Sequence, residues 1–269
     1  MDELNKLKKA ILEDYPHMTL SDTFQFECGP DLSCFNCCCA DVNIFLMPYD
    51  VLRMRRAIGM GSSEFLRRYT LVPFDKNLKL PVPLMQLDDS AEKKCQFVDD
   101  EHGCTIYGDR PSPCRMYPIG MGSPGEDAGL DQEPFYFLMR EDVCKGFERS
   151  RYWTVKDWLE NQGLEPYMEF NELFKQVSTH PLLAREGFEL KAQQVDGYWT
   201  ALYDLDKFRR FIFESSFLDK FVLEDDLVQR LKDDDDALLR FGFRWVKFIL
   251  FGEKTMTVNS EVQENIEKR

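Results

Sequence analysis

The chain has 269 residues, 43% of them hydrophobic and 13% aromatic with 22 phenylalanines, enough for one extended domain or two closely packed ones around an ordinary core. Its formal net charge is -14, from 48 acidic against 34 basic residues, a field that repels phosphate backbones and anionic lipid and excludes nucleic acid as an expected partner. The opening MDELNKLKKAILEDYP lacks the apolar run of a secretion signal, and the most apolar stretch, Trp245 to Phe251, is interrupted by Lys247 and falls far short of the roughly 20 residues of a membrane span, so a cytoplasmic protein without a membrane partner is expected.

Leu4, Leu7, Ile11 and Leu12 share one side at helical spacing and predict an amphipathic helix over 3–14. A dense run of cysteines follows, then a short apolar segment from Asp41 to Phe45. Pro48 suits the first turn of a helix that runs to about Ile58 and stops at Gly59, and Ser62 is expected to cap a helix from Ser63 to Tyr69. Arg53, Arg55, Arg56, Arg67 and Arg68 read as a solvated helix face. Pro73, Pro81 and Pro83 favour extended segments over 71–91. Gly120, Gly122 and Gly125 spell G-x-G-x-x-G, but Pro124 lies inside it and no strand and helix frame it, so Gly120 to Gly129 reads as a surface loop rather than a dinucleotide site. Phe135 to Met139 predicts a strand.

From Thr154 the pattern turns helical, at 155–161, 166–177, 205–217, 223–231 and 237–251. The aspartates at 233–236 favour a helix N-terminus. Leu238, Phe241, Trp245, Phe248 and Ile249 share a face and, with Phe208, Phe211, Ile212 and Phe217, supply aromatic core. This aromatic face is read as one packed layer, although it leaves a protein partner open. The expected fold class is α+β, mainly α: an N-terminal helix within 1–22, a loop-rich cysteine-cluster metal-binding domain at 23–150, a helical region at 151–253 packed on it, and a polar tail at 254–269.

The nine cysteines lie at 28, 34, 37, 38, 39, 95, 104, 114 and 144, and none follows. Buried cysteines serving as small hydrophobes would scatter through both halves. A disulfide framework fits poorly with an odd count, no export signal and three consecutive cysteines. Closely spaced thiolates repel unless a cation neutralises them, which points to a metal ion or cluster as the partner. Four thiolates close a tetrahedral zinc site or hold a cubane iron-sulfur cluster, so the donors at 28–39 and those at 95–144 are compatible with two closed centres or one larger shared one. His102 reads as part of an exposed turn, and His17 and His180 as structural.

Cys28 followed by CFNCCCADVN and PYD, C-x8-C-x-I-Y-x2-R-P from Cys95 to Pro111, C-R-x-Y-P from Cys114 to Pro118, and the later Cys144 resemble the YkgJ-type cysteine cluster family of zinc- or iron-chelating domains. The resemblance covers roughly residues 24 to 148. It implies Cys28, Cys34, Cys38, Cys39, Cys95, Cys104, Cys114 and Cys144 as metal ligands. Family members usually carry a cysteine pair where this chain has a triplet. The following Asp41 and Asn43 make Cys38 and Cys39 the pair and Cys37 the spare; a register shifted by one makes Cys37 and Cys38 the pair. Arg110 and Arg115 are placed to offset thiolate charge, while Tyr107 and Tyr117 either donate hydrogen bonds to sulfur or pack. Pro111 and Pro113 restrict the approach to Cys114.

The function implied is metal binding, through zinc or an iron-sulfur cluster, with a structural, redox or metal-handling role. The alternative is an S-adenosylmethionine-dependent lysine N-methylase-like enzyme with an iron-sulfur cluster, because a related cysteine arrangement occurs in flagellin lysine N-methylases. No catalytic residue follows from the sequence: the C-x3-C-x2-C spacing of radical enzymes, H-E-x-x-H and a Walker loop are all missing.

Overall fold

The computed structural model describes residues 15–73, 79–122 and 134–260. The helix expected at 3–14, much of the Gly120–Gly129 loop and the end of the polar tail lie outside the described residues. The fold is α+β, mainly α, with helices joined by five small two-stranded antiparallel ladders among the described residues. Two compact units form, one from Met1–Val42 and Asp88–Pro166, the other from Asn43–Leu87 and Tyr167–Arg269. Among the described residues no helix is long and apolar enough to cross a membrane.

In the first unit, Thr23–Gln25 pairs with Tyr152–Thr154. Phe24 and Phe26 are both buried and meet the Trp158 ring edge-on, with centroids 5.9 and 5.5 Å away. Trp158 belongs to the helix Val155–Asn161, whose N-terminus is capped by Thr154 Oγ1 accepting from Asp157 N–H. Its indole N–H donates to Met116 O at 3.0 Å, which ties this helix to the short helix Ser112–Met116.

The first two glycines of the G-x-G-x-x-G spelling have a packing reason. Ile119–Gly122 is a strand, not loop, paired with Phe135–Leu138 so that Gly120 faces Phe137 and Gly122 faces Phe135. A Cβ at either glycine would overlap the ring opposite. The rings lie over bare backbone, an arrangement that shields sheet glycines.

The second unit is built on the helix Asp235–Phe251, which crosses Ala192–Leu202 closely enough that a Cβ on Gly242 would collide with Ala201 O. Aromatic rings of Leu205–Glu214 and Phe217–Lys220 fill its flank: Phe208 lies 6.0 Å from Phe241, and Phe217 5.2 Å from Trp245. Tyr49, on the helix Pro48–Ala57, stacks on Phe170 at 4.3 Å. Thr70–Leu71 and Leu84–Met85 form the extended pair expected of the proline-rich stretch.

Several sequence expectations are corrected here. Ser62 is the first residue of its helix rather than its cap; its hydroxyl donates to Asp204 Oδ1 and accepts from Asp206 N–H, while Ser62 N–H donates to Asp206 Oδ2. Two helix starts thus satisfy each other's orphan donors, a partnership invisible at the local level. Arg55 is not on a solvated face: it is buried at 7% exposure and meets Asp235 at 2.5 Å. The helix from Leu205 ends at Glu214 because Ser215 Oγ turns back to Phe211 O and accepts from Phe217 N–H, competing with the backbone ladder. Ala192–Leu202, a helix the sequence reading missed, carries Gly197 in its middle, where a Cβ would run 2.5 Å from Ile249 Cδ1.

Candidate metal centre

All nine cysteines are free thiols, and all lie in the first unit. Cys28 follows the strand Thr23–Gln25, held where Glu27 N–H donates to Gly146 O at 3.0 Å. Two residues before Gly146 stands Cys144, and Lys145 N–H donates to Cys34 Sγ at 3.2 Å. These bonds bring the segment of Cys144 to that of Cys28 and Cys34. Cys37–Cys39 form a single 3₁₀ turn entered from Asn36 in the left-handed region, at φ 68°. Asn36 Nδ2 donates to Asp99 O at 3.1 Å, tying the turn to the hairpin Val98–Asp99 with Gly103–Cys104.

The far end of the triplet is tied elsewhere. Cys39 O accepts from Cys95 N–H at 2.7 Å, and Cys95 O accepts from Val98 N–H at 3.1 Å, with Val98 opposite Cys104 in the hairpin. Gly103 sets up Cys104: its φ of +80° is one that side chains rarely adopt, and a Cβ there would stand 2.8 Å from the Phe35 ring. Cys114 sits on the helix Ser112–Met116 and is exposed.

Electrostatic coupling links the two neighbourhoods through the adjacent Cys38 and Cys39. Cys28 is exposed as a residue, yet protein crowded around its sulfur, and then the charges of Cys38, Cys144 and Cys34, push its thiol up to about 11. Cys39 is raised by its hydrogen bond to Cys38, by burial, and by the charges of Cys38, Cys95 and Cys114. The same Cys39 hydrogen bond lowers Cys38 to about 7. Cys95 is raised by burial and by Cys104. Burial also raises Cys104, against the pull of Arg110. Among the described residues no three Cys, His, Asp or Glu side chains stand close enough together to hold a metal ion as they are. The donor chemistry nevertheless fits one: thiols that raise one another's proton affinity are the groups a cation would deprotonate and bind.

The neighbours expected to tune the sulfurs divide. Tyr117 does reach them: its hydroxyl is buried without a hydrogen-bond partner of ordinary geometry, and after burial itself, Cys144 and then Cys38 are what raise it. Tyr107 is 62% exposed and lies under the Arg110 guanidinium, 3.7 Å from ring centre to Cζ, so it packs on arginine rather than sulfur. Arg110 couples to Cys104 and Cys114 but spends its donors on Tyr107 O and Gln162 Oε1. Arg115 bonds Arg110 O, Gly108 O and Gln162 O, the last at 2.5 Å. Both arginines are buried braces of the 107–115 loop. Their anchor, Gln162, went unread in the sequence, where nothing distinguishes it from a surface glutamine. His102 is exposed and pairs with Asp99 at 2.8 Å, as a turn residue would.

Residues 27–145, which span every cysteine, match the CxxCxxCC family, described as a "putative zinc- or iron-chelating domain". Among curated proteins and among solved structures none matches the chain.

Proposed function

We propose that the chain holds its metal as a permanent structural centre, bound by thiolates from among Cys28, Cys34, Cys38, Cys39, Cys95, Cys104, Cys114 and Cys144, a reading that the match of residues 27–145 to a zinc- or iron-chelating family supports. One observation carries the reading: residues 27–42, which hold five of the nine cysteines, and 88–96, which hold Cys95, contain no fully buried residue. A segment whose residues are at most half-buried gains little hydrophobic stabilisation to offset its ordering entropy. Metal supplies what packing does not, because a structural site forms together with the fold and its binding free energy, roughly 10–16 kcal/mol for small zinc modules, becomes folding free energy.

When bound, the cation neutralises the thiolates and cross-links loops that are otherwise joined by a few backbone hydrogen bonds. Zinc accepts four thiolates at about 2.3 Å and iron-sulfur clusters use the same donors. Arg110 adds positive charge beside Cys104 and Cys114, and Tyr117 contributes a buried hydroxyl beside Cys144.

Hydrogen exchange on the full chain, before and after metal removal under reducing conditions, tests the proposal. Amides in 27–42 and 88–104 are expected to lose protection on removal, while those of the helices Ala192–Leu202 and Asp235–Phe251 keep theirs. Equal protection with and without metal would overturn a structural role and leave metal handling as the use of the site.

A further inference from the structure

In the second unit the helices Ala192–Leu202, Leu205–Glu214 and Asp235–Phe251 do not close completely against one another. Between them lies a cleft of about 370 Å³, within the size range of small-molecule sites. Its walls are apolar, with Phe208 and Phe211 on one helix and Trp245 and Ile249 on another. The Phe211 and Trp245 ring centroids stand 5.9 Å apart, and the Phe211 ring lies 17° from the plane of Phe208. On the third helix Gly197 presents bare backbone, which leaves room for Ile249 Cδ1. Two polar ties hold the three helices at this spacing. Gln194 Nε2 donates to Ile249 O at 2.8 Å, and Lys207 Nζ donates to Asp196 Oδ1 at 3.1 Å.

One group on the wall sets this cleft apart from a mere packing defect. Thr200 lines it, is 6% exposed, and has its Oγ1 buried without a hydrogen-bond partner. A hydroxyl in a helix or at its end commonly bonds the carbonyl one turn back, and others in this chain do so: Thr70 to Leu66 O, Thr179 to Lys175 O and Ser215 to Phe211 O. Thr200, inside its helix, does not. A buried hydroxyl left unpaired costs free energy, which a partner entering the cleft would return. The charged residues of the lining, Asp196 and Lys207, pair with each other, so the walls offer no unpaired charge to receive an ion.

We propose that this cleft is a binding site for a compact, uncharged aromatic molecule carrying one hydrogen-bonding group. Its ring is held among Phe208, Phe211, Trp245 and Ile249, and its polar group bonds Thr200 Oγ1. Aromatic walls favour a flat ring in offset or edge-on contact, and one buried polar group among apolar ones fixes the ligand's orientation. The site lies wholly in the second unit and shares no residue with the cysteine region.

Indole is the probe, because its N–H can donate to Thr200 Oγ1. Indene, of the same shape with CH₂ in place of N–H, is the control. Isothermal titration of the full wild-type chain is expected to show one saturable indole site with a dissociation constant below about 1 mM. Thr200→Val should weaken indole by roughly fivefold, the worth of one neutral hydrogen bond, and leave indene unchanged. The same variant should melt no lower than the wild type in the absence of probe, since valine removes a hydroxyl that bonds nothing. Phe211→Ala, which removes a ring already 39% exposed, should weaken both probes. The proposal is overturned by a wild-type chain that gives no saturable indole binding, by equal indole affinity in wild type and Thr200→Val, by a Thr200→Val chain that melts several degrees lower, or by indole binding that Phe211→Ala leaves unchanged. A dimer of the free chain in sedimentation that Phe211→Ala abolishes would overturn it too, since a second copy would then cover the cleft.

Discussion

Replacing Asp235 by asparagine removes one negative charge at nearly constant volume from the most heavily charged buried junction of the second unit. Asp235 opens its helix and faces three guanidinium groups: Arg55 at 2.5 Å, Arg56 at 3.4 Å, and Arg209. Its side chain is 15% exposed and that of Arg55 8%, so solvent screens little of the loss. Two unit charges about 4 Å apart at an effective dielectric near 20 interact by about 4 kcal/mol, and removing one member of a buried pair typically costs about 3–5 kcal/mol. Asp206 stays within 3.8 Å of Arg55 and asparagine keeps a hydrogen-bonding oxygen, which brings the expected destabilisation to about 3 kcal/mol, or roughly 6–12 °C in the melting of a unit this size. The pH dependence has a definite sign. Burial alone would raise the Asp235 carboxyl; the Arg209 hydrogen bond and the charges of Arg55, Arg209 and Arg56 outweigh it and hold the group below its ordinary 3.8. A depressed folded value means that the stabilisation is complete above the unfolded carboxylate range, about pH 4, and is lost as pH falls through the lower folded value. Urea denaturation of the metal-loaded chain and its Asp235→Asn variant should therefore show a constant gap at pH 6 to 8 that narrows below about pH 4. Equal midpoints at pH 7, or a gap that widens on acidification, would refute the reasoning.

Gly242→Ala should cost about 1–3 kcal/mol, as overpacking does, because its new methyl meets the backbone oxygen of Ala201, which has no rotamer to yield; calorimetry of the second unit's transition checks this. Gly120→Ala should destabilise the first unit, since the methyl must displace the Phe137 ring, and Phe137→Leu in the same chain should recover part of the loss, read by thermal denaturation. Gln162→Leu leaves Arg110 Nη2 without its side-chain acceptor and should lower the first unit's stability by about 1–3 kcal/mol with metal content unchanged, measured by denaturant titration alongside elemental analysis; a proportional loss of metal would mean that the arginine braces act on the sulfurs directly.

What was legible in the sequence was whatever depends on neighbours along the chain. Pro48 at a first turn with Gly59 beyond the end, Ser62 beside the next start and the shared apolar face of Asp235–Phe251 announce helices, and clustered thiols announce metal. What escaped depends on partners far away. Arg55 looks like any surface arginine until Asp235, 180 residues later, takes its charge. Ser62 looks like a cap until Asp206 supplies the acceptor instead. The helix Ala192–Leu202 was hidden by Gly197, whose missing side chain is a requirement of Ile249 rather than a break.

The cysteines show the same division at closer range. Reading along the chain sorts them by position, 28–39 in one group and 95–144 in another, because proximity in sequence is the only proximity available. The backbone bonds sort them differently: Lys145 N–H to Cys34 Sγ draws Cys144 back to the first group, and Cys95 N–H to Cys39 O draws Cys39 forward to the second. A centre made only of the 28–39 thiols would cross-link a short loop, whereas one that closes the long interval from Cys28 to Cys144 removes more entropy from the unfolded chain. Ligands drawn from both cysteine regions therefore give the greater stabilisation, which is the physical reason to expect them where residues 27–42 contain no fully buried residue.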